Sequence, residues 1–108
     1  MAAAINNYSY NRFKQAFLAK ELEAYFEYGD YQIRLIDAPK ISYDAACAVV
    51  LKPNRSLGLI RSLFERMMNR DFVAESVFST REELLANFRF QGKTIEEMWP
   101  ELIPCFEL

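Results

Sequence analysis

The chain has 108 residues and a formal net charge of −2, which suits one domain and leaves little room for a second. Apolar residues make up 52% of the sequence and charged residues 26%, so the composition is that of a folded globular protein rather than a disordered one. The sequence contains no histidine, which excludes serine–histidine and cysteine–histidine catalysis and histidine-ligated zinc. The longest apolar run, residues 45–51, is too short to span a membrane, and no secretory signal pattern is visible. We therefore expect a cytoplasmic protein.

The cysteines and glycines exclude further chemistry. Cys47 and Cys105 are too few for a structural zinc site and too far apart for a redox motif, so we expect free thiols. The three glycines are scattered, which rules out a glycine-rich phosphate loop. The sequence therefore predicts no metal site and no cofactor, and we predict that the protein is not an enzyme.

The sequence predicts a flexible lead-in over residues 1–10 and a single domain over residues 11–108. Residues 11–28 show helical periodicity, with two adjacent apolar stripes that together cover more than half of the helix surface. Gly29 then serves as a left-handed C-cap. Residues 31–36 alternate apolar and polar side chains and predict a half-buried strand.

The remaining segments alternate between clear and ambiguous patterns. Residues 41–51 fit a short buried helix or a strand, and their alanine content favours the helix. Residues 55–70 form the clearest amphipathic helix, and residues 72–78 fit a short strand or an extended link. Two capping-box patterns, residues 79–82 and 94–97, predict two further helices, the first ending near Gly92 and the second shortened by Pro100.

These elements predict a single α+β domain that is mostly helical, with three or four helices and a short two- or three-stranded sheet. The predicted core residues are Leu18, Leu22, Phe26, Ile33, Leu35, Val49, Ile60, Leu63, Phe64, Met67, Leu84, Leu85 and Trp99.

The excess of aromatic residues near the first helix predicts a protein-binding surface, as in a small inhibitor, adaptor or immunity-type protein. The predicted binding residues are Phe13, Phe17, Tyr28, Asp30 and Tyr31. Aromatic side chains bury a large area at a small entropic cost, and flanking acidic groups steer a basic partner. From residue 71 onward eight acidic residues oppose three basic ones, which favours the same kind of partner. A second copy of the chain is another candidate partner. The alternative to a binding role for the second apolar stripe is that the first helix is central and its own domain covers it on two sides.

A basic stripe gives the second hypothesis, nucleic-acid binding. Its residues are Lys52, Arg55, Arg66 and Arg70, on or beside the helix predicted over residues 55–70. A row of positive charges on a stable helix can contact phosphates. The alternative is a solvated face, which the net acidity of the chain favours. No feature predicts a membrane partner.

Overall fold

The computed structural model describes residues 2–53 and 70–106. The described elements follow the order α1 (Ala2–Leu18), β1 (Ala24–Tyr28), β2 (Tyr31–Asp37), β3 (Ala46–Pro53), β4 (Arg70–Phe78), α2 (Arg81–Asn87), α3 (Ile95–Met98), a 3₁₀ turn (Trp99–Glu101) and β5 (Ile103–Pro104).

The strands form one antiparallel sheet in the order β4-β3-β2-β1-β5. Strands β1 to β4 are neighbours in sequence order, so they form a meander. The segment after β4, with α2, α3 and the 3₁₀ turn, carries the chain back to the opposite edge, where β5 pairs with β1. The backbone N–H of Cys105 donates to the carbonyl oxygen of Tyr25 at 2.8 Å and extends this pairing.

The prediction of a mostly helical domain with a short sheet is wrong. Within the described residues the sheet has five strands, and β2, β3 and β4 are seven to nine residues long. Two segments that we predicted as helix, residues 24–28 and 46–51, lie in strands. The segment predicted as a lead-in also differs, since α1 begins at Ala2.

The end of α1 explains the first of these errors. Lys20 adopts a left-handed backbone with φ of 61°, and its N–H donates to the carbonyl of Phe17 at 3.1 Å. The N–H of Glu21 donates to the carbonyl of Ala16 at 2.9 Å, which completes a Schellman-type helix end. The helix therefore ends eleven residues before Gly29, and the left-handed residue that follows it is a lysine, a residue type that rarely signals a helix end.

Residues 24–28 form β1 because their apolar side chains also alternate with a period of two. Ala24 and Phe26 are buried, whereas Tyr25 and Glu27 are exposed. Gly29 has a φ of 60° and occupies the first central position of the two-residue β1–β2 hairpin turn, as in a type II′ turn. Gly29 is thus a hairpin residue and not a helix C-cap.

Residues 46–53 form β3, a central strand, so the helix favoured there by alanine content is wrong. Ala46 and Ala48 are fully buried on the sheet face that carries the core. Small side chains let other elements approach the sheet closely, which explains alanine in a strand despite its modest preference for this structure.

Other local predictions hold. The strand over residues 31–36 is confirmed by β2, and residues 72–78 lie within β4. The capping box of Thr94 and Glu97 is present, whereas the cap of α2 is Thr80, whose hydroxyl accepts from the N–H of Glu83 at 3.0 Å. The helix predicted over residues 55–70 lies almost wholly outside the described residues.

The core lies on one face of the sheet, which we call the inner face, beneath α1, α2 and the 3₁₀ turn. The predicted core residues that are buried there are Phe26, Ile33, Leu35, Leu84, Leu85 and Trp99. Leu18 and Leu22 are partly buried against this cluster, and Val49 lies half-buried on the opposite, outer face. The predicted core residues Ile60, Leu63, Phe64 and Met67 lie outside the described part of the chain. Within that part, no helix combines the length and the apolar character needed to cross a bilayer.

Candidate functional site

Two tight turns lie side by side, and together they form the candidate site. The first is the Gly29–Asp30 turn of the β1–β2 hairpin. The second is the Gln91–Gly92 turn, in which Phe90 and Lys93 exchange backbone hydrogen bonds of 2.9 and 3.1 Å. Gln91 has a φ of 54° and Gly92 a φ of 82°, which is the pattern of a type I′ turn. We call the combined area the two-turn surface.

Three aromatic rings join the two turns. The ring of Phe90 meets that of Tyr31 edge-on at a centroid distance of 4.9 Å, and that of Tyr28 edge-on at 6.1 Å. All three rings are half-buried. Edge-on packing of this kind stabilises a defined ring orientation, so the exposed parts of both tyrosines stand in fixed positions.

A shallow depression lies between the turns. Its volume is about 300 Å³, and its lining residues are Tyr28, Gly29, Asp30, Tyr31, Gln91 and Glu101. The lining combines aromatic rings with carboxylate, amide and backbone groups. This composition suits an apolar anchor surrounded by a polar rim, which is the usual arrangement of a protein–protein interface.

The charges around the depression are mixed, with acidic groups at its edge. Asp30 and Glu101 are exposed, and the ammonium group of Lys93 lies 3.3 Å from a carboxylate oxygen of Glu101. The hydrogen bond that Lys93 donates to Glu101 raises the pKa of Lys93, and the nearby charges of Glu101 and Tyr28 raise it further. Lys93 therefore remains charged and pairs with Glu101 at the edge of the site.

The structure separates the five residues predicted for protein binding into two groups. Tyr28, Asp30 and Tyr31 lie together at the two-turn surface. Phe13 and Phe17 are fully buried, and their rings stack at 5.3 Å in the core. These two side chains cannot contact a partner in the folded protein, so the second apolar stripe of the first helix belongs to the domain's own interior.

The core around Phe13 is a cluster of aromatic rings. Phe13 stacks on Trp99 at 5.2 Å and meets Phe26 edge-on at 5.4 Å, and Tyr10 meets Trp99 edge-on at 5.2 Å. Among the residues that the structure describes, none offers a hydrogen-bond acceptor to the buried indole N–H of Trp99. The aromatic excess of the sequence therefore serves the core as well as the surface.

Most of the predicted basic stripe lies outside the described residues, and only Lys52 and the backbone of Arg70 are described. Lys52 is exposed near the end of β3. Arg70 begins β4, but its side chain lies outside the described part, as do Arg55 and Arg66 altogether. The nucleic-acid hypothesis stays a prediction.

Neither cysteine has the electrostatic surroundings of a nucleophile. Cys47 is buried, and its thiol donates to a carboxylate oxygen of Glu75 at 3.2 Å. Burial, this hydrogen bond and the charge of Glu75 raise the pKa of Cys47 to about 11. Cys105 is exposed, and its pKa is also raised, first by desolvation and then by the charge of Glu27. A reactive thiol needs the opposite shift. Among residues 2–53 and 70–106, no group of three or more cysteines and carboxylates is placed to hold a metal ion.

The sequence did not predict Phe90 and Gln91 as parts of the candidate site, and it predicted Glu101 only as one of the acidic residues of the C-terminal third. The dipeptide Gln91–Gly92 carries a weak hairpin signal, but we interpreted Gly92 as a helix end. These residues lie about 60 positions along the chain from the first turn. No local pattern indicates that the two turns meet.

Comparisons of this chain with protein-family models, with curated proteins and with solved structures find no match.

Proposed function

We propose that this protein is a non-enzymatic protein-binding module that uses the two-turn surface. The observation that carries the proposal is the contact of Tyr28 and Tyr31 with Phe90, which fixes two partly exposed tyrosines beside a shallow depression. An aromatic anchor that is already ordered loses little conformational entropy when a partner binds. Tyrosine also presents an apolar ring and a hydroxyl group to the same partner.

The partner that fits this surface best has a basic rim around an apolar contact. Asp30 and Glu101 place carboxylates at the edge of the depression. Charges at the rim of an interface act mainly on the rate of association and on the choice of partner. The exposed pair of Lys93 and Glu101 contributes little stability to the fold, so either residue can exchange its contact for one with a partner.

The raised pKa values of both thiols support the non-enzymatic part of this proposal, because they leave the thiolate nucleophile scarce at neutral pH. We also propose that the protein acts in the cytoplasm. Its two free cysteines support that location, since secreted domains of this size commonly pair their cysteines.

A site-specific photo-crosslinker tests the proposed surface. The probe amino acid p-benzoylphenylalanine replaces Tyr31 in one variant and Tyr43 in a matched control. Tyr43 is a tyrosine that lies away from the two-turn surface with 85% of its side chain exposed. Both variants are irradiated in a lysate of the source organism.

We expect a discrete crosslinked product from the Tyr31 probe that the Tyr43 probe does not give. Adding Asp30→Lys should reduce that product, and the charge reversal Glu21→Lys at another exposed carboxylate should not. Identical products from both probe positions, or none from Tyr31, would contradict the proposal.

The nucleic-acid hypothesis requires a different experiment. A salt-dependent gel shift that is lost on reversing the charges of Arg66 and Arg70 would support it. We expect that shift to be unaffected by Asp30→Lys, so the two hypotheses are distinguishable.

A further inference from the structure

The outer face of the sheet carries a regular pattern of side chains that the core does not use. Strand register arranges these side chains in three cross-strand rows. The rows are Ile36–Cys47–Val77, Tyr25–Arg34–Val49–Glu75 and Glu27–Gln32–Leu51–Phe72. Several of the apolar members are open to solvent, with exposed fractions of 62% for Phe72, 47% for Val77 and 40% for Tyr25.

The middle row has charges of opposite sign on either side of β3. Arg34 on β2 and Glu75 on β4 both pair with Val49 in register, so they lie about 10 Å apart across two strand spacings. The Arg34 side chain is held in place by a hydrogen bond of 2.8 Å to Gln32 and by the Tyr25 ring at 5.0 Å. Within the described ranges, neither Arg34 nor Glu75 has a salt-bridge partner.

We propose that the outer face binds a second copy of this chain around a two-fold axis that runs along β3. A two-fold interface must be complementary to itself. Rotation about β3 places β2 of one protomer over β4 of the other. Arg34 then faces the partner's Glu75, and the same pair forms a second time by symmetry.

The row Ile36–Cys47–Val77 fits the same axis. Rotation places Ile36 over the partner's Val77, which joins two apolar side chains. Val49 and Leu51 lie close to the axis and contact their own counterparts. Two sheets that pack face to face in this way keep their strands nearly aligned, as in a β-sandwich.

The size of the face predicts a weak dimer. Three strands of about eight residues present roughly 400 Å² in projection on each protomer. This area lies near the lower limit of specific protein interfaces, where complexes are transient. We therefore expect dissociation in the micromolar range. The surface is separate from the two-turn surface, so the two proposals stand or fall independently.

Analytical ultracentrifugation over low-micromolar to near-millimolar protein tests the dimer. The variants are Arg34→Glu, Glu75→Arg and the double charge swap. Lys40→Glu, which makes the same charge change as Arg34→Glu at an exposed turn away from the outer face, is the matched control. Far-UV circular dichroism and Trp99 fluorescence establish that each variant is folded, and the neutral variants Arg34→Gln and Glu75→Gln replace any that is not.

We expect a concentration-dependent dimer that each single reversal weakens by at least about tenfold, because like charges then face each other. The double swap should restore the affinity, and Lys40→Glu should leave it unchanged. A monomer at every concentration would overturn the proposal. That is also the result expected if residues 54–69 of the same chain cover this face. Association that the single reversals do not weaken, or that the double swap does not restore, would also overturn it.

Discussion

The guanidinium group of Arg81 and the carboxylate of Asp37 are joined by two hydrogen bonds, from Nε at 3.1 Å and from Nη2 at 2.9 Å, both to Oδ1. Arg81 is 4% exposed, and its Nη1 donates to the carbonyl oxygens of Phe17 at 2.7 Å and Leu22 at 2.6 Å. Its guanidinium also lies 4.5 Å from the centre of the Phe17 ring. One side chain therefore links the end of α1, the loop to β1, the end of β2 and the start of α2.

Replacing Arg81 with methionine should destabilise the fold by about 3 kcal/mol. The change removes the Arg81 donor from the buried carbonyl of Phe17, which keeps its bond from Lys20, and from the partly buried carbonyl of Leu22. It also removes the ion pair with Asp37. The measurement is urea unfolding followed by the fluorescence of Trp99, the single tryptophan of the chain. Asp44→Ala, which removes an exposed pair with Lys20, is the control and should cost less than about 1 kcal/mol. Equal losses from the two substitutions would show that the Arg81 contacts do not hold the layers together.

The two thiols should react at very different rates under mildly alkaline conditions. Cys105 is exposed, whereas Cys47 is buried and its pKa is raised to about 11. We expect iodoacetamide to modify Cys105 first and to modify Cys47 slowly until urea unfolds the chain. Mass spectrometry of the labelled peptides measures both rates. Equal rates in the folded protein would show that Cys47 is accessible.

The raised pKa of Cys47 also predicts a loss of stability at high pH. Between the ordinary value of 9.0 and the raised value of about 11, the folded state retains a proton that the unfolded chain releases. The free energy of unfolding therefore falls as the pH rises through this window. Cys47→Ala should remove this part of the decline. Tyr10, whose pKa burial raises to about 12, should continue it at higher pH. An unchanged pH profile in Cys47→Ala would contradict the assignment.

The capping box of α3 predicts sensitivity to acid. The Thr94 hydroxyl accepts from the N–H of Glu97 at 3.2 Å, and the Glu97 carboxylate accepts from the N–H of Thr94 at 2.9 Å. The backbone hydrogen bond from Thr94 lowers the pKa of Glu97, and the side-chain bond lowers it further. Glu97 therefore contributes stability at neutral pH that is lost as the pH falls through the range where its carboxylate is protonated.

Thr94→Ala should lower the free energy of unfolding by about 1 kcal/mol at neutral pH, as for other N-cap residues. Glu97→Gln should instead reduce the dependence of stability on acid pH. Urea unfolding at a series of acidic pH values distinguishes the two variants. Identical pH profiles for Glu97→Gln and the unsubstituted protein would show that the capping carboxylate has no part in the acid response.

The spacing of residues close together in sequence correctly predicted the elements that local interactions determine. The alternation over residues 31–36 identified β2, and the spacing of Thr94 and Glu97 identified a helix start. Residues 24–28 misled the prediction because Tyr25 and Phe26 extend the helical stripe of α1, whereas Ala24, Phe26 and Tyr28 also alternate. The left-handed backbone of Lys20 ends α1 before these residues, and lysine does not signal that conformation.

The sequence predicted the part of the candidate site whose residues are close together along the chain. Tyr28, Asp30 and Tyr31 lie close together in sequence, so their clustering was visible before the structure. Phe90 joins them only because the chain returns along the core face after β4, which is a long-range consequence of the sheet order. Conversely, Phe13 and Phe17 have the periodicity of either a core or an interface. The contacts of the whole domain place them in the core.

The most direct measurement compares Tyr31→Ala with Phe17→Ala for both folding and partner capture. Phe17 is fully buried, so Phe17→Ala should destabilise the fold by about 3–5 kcal/mol. Tyr31 is half-buried at the end of the hairpin, so Tyr31→Ala should leave the domain folded. In the same lysate, Tyr31→Ala should fail to capture the protein that the Tyr31 crosslinking probe identifies. A folded Tyr31→Ala variant that captures this protein as well as the unsubstituted chain does would contradict the claim that the two-turn surface is the binding site.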